Sequence, residues 1–162
     1  GTGNVGKKVV ELLQGFNFET IAYSPNPDTN FSDIYSVKYF DNPNEVYSRA
    51  DIISLHASIS SNEFLIGSDE LQLMKKTTVI VNCARSHLVD NLEIYHAVKD
   101  GRIFGYGLDD PWPNDLPSIE GLNIIVSPHV GSDTVYGKMM MKQMSLEAVV
   151  DFLSDKKPKF LL

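Results

Sequence analysis

The sequence predicts an α/β fold, a doubly wound parallel sheet with helices on both faces, and three observations predict it. Short apolar runs alternate with segments of helical period along nearly the whole chain. A glycine-rich turn, Gly1-Thr2-Gly3-Asn4-Val5-Gly6, leads directly into a helical stretch. The residues just after the apolar runs include a guanidinium, an acid and an imidazole. Ligands of such sheets bind beyond the carboxyl ends of the strands, and a structural protein has no need to collect those groups there.

The glycine turn organises the rest. Three glycines at this spacing suit a tight turn, a backbone surface that can touch a pyrophosphate, and a helix start packed close to a sheet. The first free N–H groups of the helix and its positive dipole end favour phosphate. Gly1, Gly3, Asn4, Val5 and Gly6 are therefore candidate cofactor contacts in a Rossmann-like, dinucleotide-binding domain. Such a turn follows a strand, and nothing precedes Gly1. A first strand missing from this chain, supplied by residues upstream and sitting mid-sheet, is the expectation.

Taken in order, Val5, Val9, Val10, Leu12 and Leu13 give an apolar helical face with Gly15 as its expected C-cap. Residues 19–23 read as a short strand, and Ser24-Pro25-Asn26-Pro27-Asp28 is turn chemistry. Residues 31–40 fit a short helix and then a short strand. Asn42 caps the next helix, with Pro43 at its first position and Glu45 at its third. Residues 52–56, mostly apolar, read as a strand covered on both faces. Ser68 caps a helix to about Lys75, and residues 78–82 form the clearest strand. Asp90 caps a helix to Asp100, ended by Gly101. Two more strands, 103–108 and 123–127, flank a Pro-rich loop. Ser132 or Asp133 opens a long final helix to about Leu153, in whose Met139-Met140-Met141 run at least one methionine is expected in a core position. Residues 1–153 form the dinucleotide-binding domain; residues 154–162 read as the start of a return segment.

Bulk composition narrows the partners. The 162 residues carry a formal net charge of −7 without a Lys/Arg cluster, against nucleic acid or an anionic membrane as partner. Cys83 is the only cysteine, so a cysteine-based metal set is excluded and a reducing cytoplasm fits. The strand-end residues to inspect are Ser24, His56, Cys83, Ala84, Arg85, Asp109, Pro128 and His129, and Gly131 just beyond them is a further candidate cofactor contact. Ser24 occupies the place where NAD-selective domains put an acid, with Asp28 four residues on. NAD is favoured over NADP because no arginine follows to neutralise a 2′-phosphate.

The stretches GTGNVGKKVVELLQGF, ADIISLHASIS, VIVNCARSHLVD, GRIFGYGLD and NIIVSPHVGSDT, in this order, resemble the nucleotide-binding domain of the D-2-hydroxyacid dehydrogenases. The resemblance covers nearly the whole chain. It implies hydride transfer between nicotinamide C4 and C2 of a small 2-hydroxy or 2-keto acid. It implies that Arg85 binds the substrate carboxylate and polarises the carbonyl, that His129 is the acid or base, and that Asp109 lies near the carboxamide. Histidine suits reversible proton transfer because its pKa lies near working pH. A substrate domain outside this chain would be needed for turnover, and a homodimer is the implied assembly.

Three departures from the family pattern matter. Asn114 falls where a glutamate usually pairs with the histidine; an amide orients an imidazole without stabilising its charged form. Asp115 is adjacent and takes that part if the loop shifts by one residue. Formate dehydrogenases carry an amide at this place, which keeps a formate-like activity open. Ser86-His87 and Ser58 stand where glycines and a proline are usual. A regulatory module that binds NAD without turnover is therefore a competing reading.

Overall fold

Every described strand pairing is parallel in the computed structural model, which describes residues 1–58 and 64–158. Ile59 and Ser60, which close ADIISLHASIS, and residues 159–162 of the return segment lie outside the described residues. The elements are α1 (Asn4–Leu13), β1 (Thr20–Ala22), α2 (Thr29–Tyr35), β2 (Val37–Tyr39), α3 (Pro43–Arg49), β3 (Ile52–Leu55), α4 (Ser68–Leu73), β4 (Val79–Asn82), a 3₁₀ turn (Ser86–Leu88), α5 (Asn91–Lys99), β5 (Gly105–Asp109), β6 (Ile124–Ser127) and α6 (Val135–Leu153). Two units divide the chain, Gly1–Pro128 and His129–Leu162. The first holds α1 to α5 and all the strands; the second holds α6.

Local chemistry fixes most element ends. The Asn42 side chain accepts from the Asn44 N–H at 3.0 Å, with Pro43 beside it at the helix start. Asp90 accepts from the Leu92 and Glu93 amides at 3.0 and 3.1 Å, and Gly101, at φ 66°, lets the chain leave α5. Two expected caps move by one or two residues. Gly67, not Ser68, precedes α4, and its N–H donates to Glu70 at 2.8 Å, half of a capping box. Thr134, not Ser132 or Asp133, caps α6 by accepting from the Gly137 N–H at 2.9 Å. At α1 the C-cap is Gln14, one residue before Gly15.

The strands form two sheets, ordered β1-β2 and β3-β4-β5-β6. The main core lies between the larger sheet and helices α3, α4 and α5; Ile80, Leu88, Ile94 and Ala97 are wholly buried in it. Burying one such branched side chain contributes roughly 1.5–3 kcal/mol. A smaller cluster joins Val10, Phe31 and Val37 across α1, α2 and β2. The expectation that β3 is covered on both faces is not met. Ile53 and Leu55 are buried while Ile52 is 59% exposed, the alternation of a strand with one covered face. Nor does the methionine run supply a core position, because no residue of α6 is buried.

Gly1 ties the two sheets at their carboxyl ends. Its N–H donates to the Tyr23 carbonyl, just past β1, at 3.0 Å, and its Cα lies against the His56 carbonyl, just past β3. Among the described residues β1 pairs only with β2, and β3 only with β4.

Two buried tyrosines make the fold sensitive to alkali. Burial pushes the phenols of Tyr47 and Tyr106 up to about 12. An unfolded tyrosine loses its proton near pH 10, so between pH 10 and 12 the unfolded chain binds fewer protons than the folded one and stability falls as pH rises. Each tyrosine contributes a slope of about −1.4 kcal/mol per pH unit in that window. Urea midpoints recorded from pH 8 to 12 are expected to stay level to about pH 10 and then drop, with a shallower drop in Tyr47→Phe and Tyr106→Phe. A midpoint level through pH 12 contradicts this.

Candidate functional site

Each glycine of the opening turn meets a different constraint. A Cβ on Gly1 would come within 2.8 Å of the His56 carbonyl oxygen. A Cβ on Gly6 would collide with the Gly1 carbonyl, so α1 lies against its own turn only because Gly6 has no side chain. Gly3 is the opposite case: a Cβ there would meet nothing within 4 Å. Gly3 is also the residue before α1, with extended backbone and no side-chain cap on the helix. The amino end of α1 thus begins at a residue with open space beside it and no side-chain cap, and its positive dipole end suits a pyrophosphate. Asn4 and Val5 form the exposed first turn, with Val5 64% exposed. Thr2 is buried beneath them and accepts from the Tyr39 hydroxyl at 2.9 Å, which pins the turn to the end of β2.

Beside this turn the Lys7 ammonium donates to the Asp28 carboxylate at 2.5 Å, and Asp28 also accepts from the Phe31 N–H at 3.0 Å. Both contacts, the lysine first, hold the Asp28 carboxyl below its ordinary range. Asp28 is therefore the ordered acid past β1, while Ser24 donates weakly to the Asn26 carbonyl at 3.4 Å.

The ends of β3, β4 and β5 bring the other candidates alongside. His56 Nε2 lies 2.8 Å from Ser54 Oγ, and burial pushes the imidazole pKa down, so the neutral ring is favoured. Cys83 is exposed, yet partial burial of its thiol and the nearby Asp109 push its pKa up, away from thiolate chemistry. The Arg85 guanidinium folds back to donate to the Ala84 carbonyl at 2.6 Å. Asp109 pairs in register with Ser127 of β6, whose hydroxyl donates to it at 2.6 Å. The Ser86 N–H donates to Asp110 at 3.1 Å, tying the Arg85 turn to the end of β5.

The glycine turn, His56, Cys83, Ala84, Arg85 and Asp109 thus share the carboxyl edge of the first unit. Asn114 and Asp115 are exposed at a turn closed by the Leu116 N–H donating to the Pro113 carbonyl at 3.2 Å. His129 and Gly131 are exposed at the start of the second unit, His129 in the left-handed region at φ 58°. Motif and spacing do not single out Asn82, Asp110 or Ser127. The signal available for Asn82 and Ser127 is a polar residue closing an otherwise apolar strand.

A parallel sheet carrying a glycine cradle at a helix start, with an arginine and an acid at neighbouring strand ends, defines a dinucleotide-binding domain of the oxidoreductase type. The chain belongs to the D-isomer specific 2-hydroxyacid dehydrogenases, whose NAD binding domain matches residues 1–131. It is 36% identical over 138 residues to a D-3-phosphoglycerate dehydrogenase of Methanocaldococcus jannaschii, covering 83% of this chain and 26% of that protein. It is 29% identical over 167 residues to a glyoxylate reductase of Korarchaeum cryptofilum, covering all of this chain and 50% of that one. Among solved structures, the NAD-complexed D-isomer specific 2-hydroxyacid dehydrogenase of Lactobacillus delbrueckii ssp. bulgaricus superposes with a TM-score of 0.83 at 29% identity, over 98% of this chain and 53% of that one. The chain therefore spans about half or less of the length of these relatives. NAD is the cofactor of the family domain it matches. Among the described residues, no helix is long and apolar enough to cross a membrane.

Proposed function

We propose that this chain is the NAD-binding part of a dehydrogenase that interconverts a small 2-hydroxy acid and its 2-keto acid. The observation that carries this reading is the Arg85 turn, braced against the end of β5 on the same edge as the glycine cradle. Bound NADH supplies a hydride from the nicotinamide ring. Arg85 offers a planar pair of donors that matches a carboxylate and withdraws charge from the adjacent carbonyl. His129, one residue beyond the proline that follows β6, gives a proton to the reduced oxygen and takes it back in oxidation. Asp109, fixed by Ser127, would hold the nicotinamide carboxamide. The cofactor's ribose hydroxyls fall to Asp28 and Ser24. A second domain walls the cleft and excludes water, so this chain alone binds cofactor without turning over. A homodimer in a reducing cytosol belongs to the same reading.

A screen of small 2-keto acids with NADH, on the complete polypeptide that contains this chain, tests it by loss of nicotinamide absorbance. Oxidation with none of them overturns it. For the acid that reacts, Arg85→Ala is expected to lower kcat/KM by roughly 10²-fold, since a charge-assisted hydrogen bond contributes about 1.5–3 kcal/mol. The Kd for NADH, read by fluorescence, is expected to stay nearly unchanged. A parallel loss of NADH affinity would place Arg85 on the cofactor instead.

One observation favours a second reading. Counted along the loop, Asn114, an amide with Asp115 next to it, falls at the place of the histidine's usual acidic partner, as suits an NAD-responsive module or a formate-like oxidation. Formate oxidation by NAD in the same screen, or NADH binding with no turnover of any acid, separates these from the first reading.

A further inference from the structure

A wholly buried polar group near the proposed site is one that the site reading leaves unassigned. Asn82, the last residue of β4, is wholly buried. Its Oδ1 accepts from the Ala84 N–H at 3.1 Å, an Asx turn that bends the chain just past the strand. Its Nδ2 donates to the Arg85 carbonyl at 2.8 Å and to the Tyr106 hydroxyl of β5 at 3.2 Å. One side-chain amide thus grips the turn before Arg85 and at Arg85, and is itself held by a buried phenol on the adjacent strand. The Arg85 carbonyl also accepts from the Leu88 N–H at 3.1 Å, and the next amide, Ser86, is taken by Asp110 at 3.1 Å. The guanidinium is exposed, whereas the backbone that aims it is fixed on both sides.

A strand end needs no such residue for packing. An apolar side chain of the same volume would fill the site without burying an amide whose every lost partner is costly. Two of the three hydrogen bonds of Asn82 fall instead on Ala84 and Arg85, where the chain leaves the sheet.

We propose that Asn82 is a positioning residue for Arg85: it fixes the turn so that the guanidinium leaves the sheet in one direction, and Tyr106 holds the amide in the rotamer that does so. This rests on the reading of Arg85 as the group that receives the substrate carboxylate. A displacement of about 1 Å in such a group costs on the order of 10²-fold.

The test is a double-mutant cycle in the complete polypeptide, with the NADH complex titrated with oxamate, a carboxylate beside a carbonyl that does not react. Asn82→Ala is expected to weaken oxamate at least tenfold with NADH affinity unchanged. Asn82→Ala combined with Arg85→Ala is expected to bind oxamate no worse than Arg85→Ala alone, because the residue to be aimed is gone. Asn82→Ser, which keeps a hydroxyl for the Ala84 N–H but cannot span to the Arg85 carbonyl, is the variant to use if the alanine form does not fold, and should show the same loss. Tyr106→Phe removes the buried hydroxyl while leaving both turn contacts in place. With the amide less firmly held, it is expected to lower the melting temperature and to weaken oxamate, by less than Asn82→Ala does; wild-type oxamate affinity would remove Tyr106 from the positioning role. Additive losses in the cycle, or a stable Asn82 variant with wild-type oxamate affinity, overturn the positioning role and leave Arg85 as proposed. Failure of the wild-type NADH complex to bind any 2-oxo acid or oxamate overturns the Arg85 reading, and this inference with it.

Discussion

Replacing His129 with alanine is expected to lower kcat by about 10²–10⁴-fold in the complete polypeptide, the usual contribution of a positioned acid or base. Histidine is the side chain whose ordinary pKa lets it hold or release a proton near neutrality, which a reversible ketone–alcohol conversion requires. The backbone adds a condition on how the test is made. His129 has φ 58°, a left-handed conformation that alanine adopts at a cost and asparagine tolerates better. His129→Asn therefore keeps the backbone while removing the proton carrier, and should lose as much rate as His129→Ala with a smaller loss of stability. An unchanged kcat in the asparagine form would remove the proton-transfer role.

The second large effect separates two glycines three residues apart. Gly3→Ala places a methyl group in space that the protein leaves open, so the fold should tolerate it within about 0.5 kcal/mol, as for an exposed substitution. That methyl group would stand where the pyrophosphate approaches the backbone, and NADH affinity should fall tenfold or more. Gly6→Ala places its methyl group against the Gly1 carbonyl, where α1 and the turn must separate to admit it. Overpacking of this kind costs about 1–3 kcal/mol, so the melting temperature should fall along with NADH affinity. NADH titration and thermal unfolding on both variants give the answer. Equal loss of stability in the two, or wild-type NADH affinity in Gly3→Ala, contradicts the assignment of Gly3 to the phosphates.

The helix starts show where sequence suffices and where it does not. Asn42 and Asp90 are legible because a cap is local: a short polar side chain reaches amides two or three residues on, whatever the rest of the fold does. At α4 and α6 several capping residues stand in a row, and Ser68, Ser132 and Asp133 are each passed over for a neighbour. Local propensity leaves such neighbours nearly equal, and the path of the preceding chain chooses among them. Strand positions were readable from apolar runs, but the one-sided burial of β3 was not, since it depends on what packs on each face.

By itself, the sequence determined the alternation of strands and helices, the glycine turn at the first helix, and which candidate site residues follow which strands. Those depend on contacts a few residues apart, which the chain carries with it wherever it goes. Only the tertiary structure decided that Asn82 reaches Arg85 and Tyr106, that Asp110 takes the Ser86 amide, that Ser127 fixes Asp109, and that Gly3 faces open space while Gly6 touches Gly1. Apart from the two made inside turns, these contacts join neighbouring strands whose register is set by core burial across the whole sheet. All of them turn on ångström-scale differences in approach that residue types do not encode.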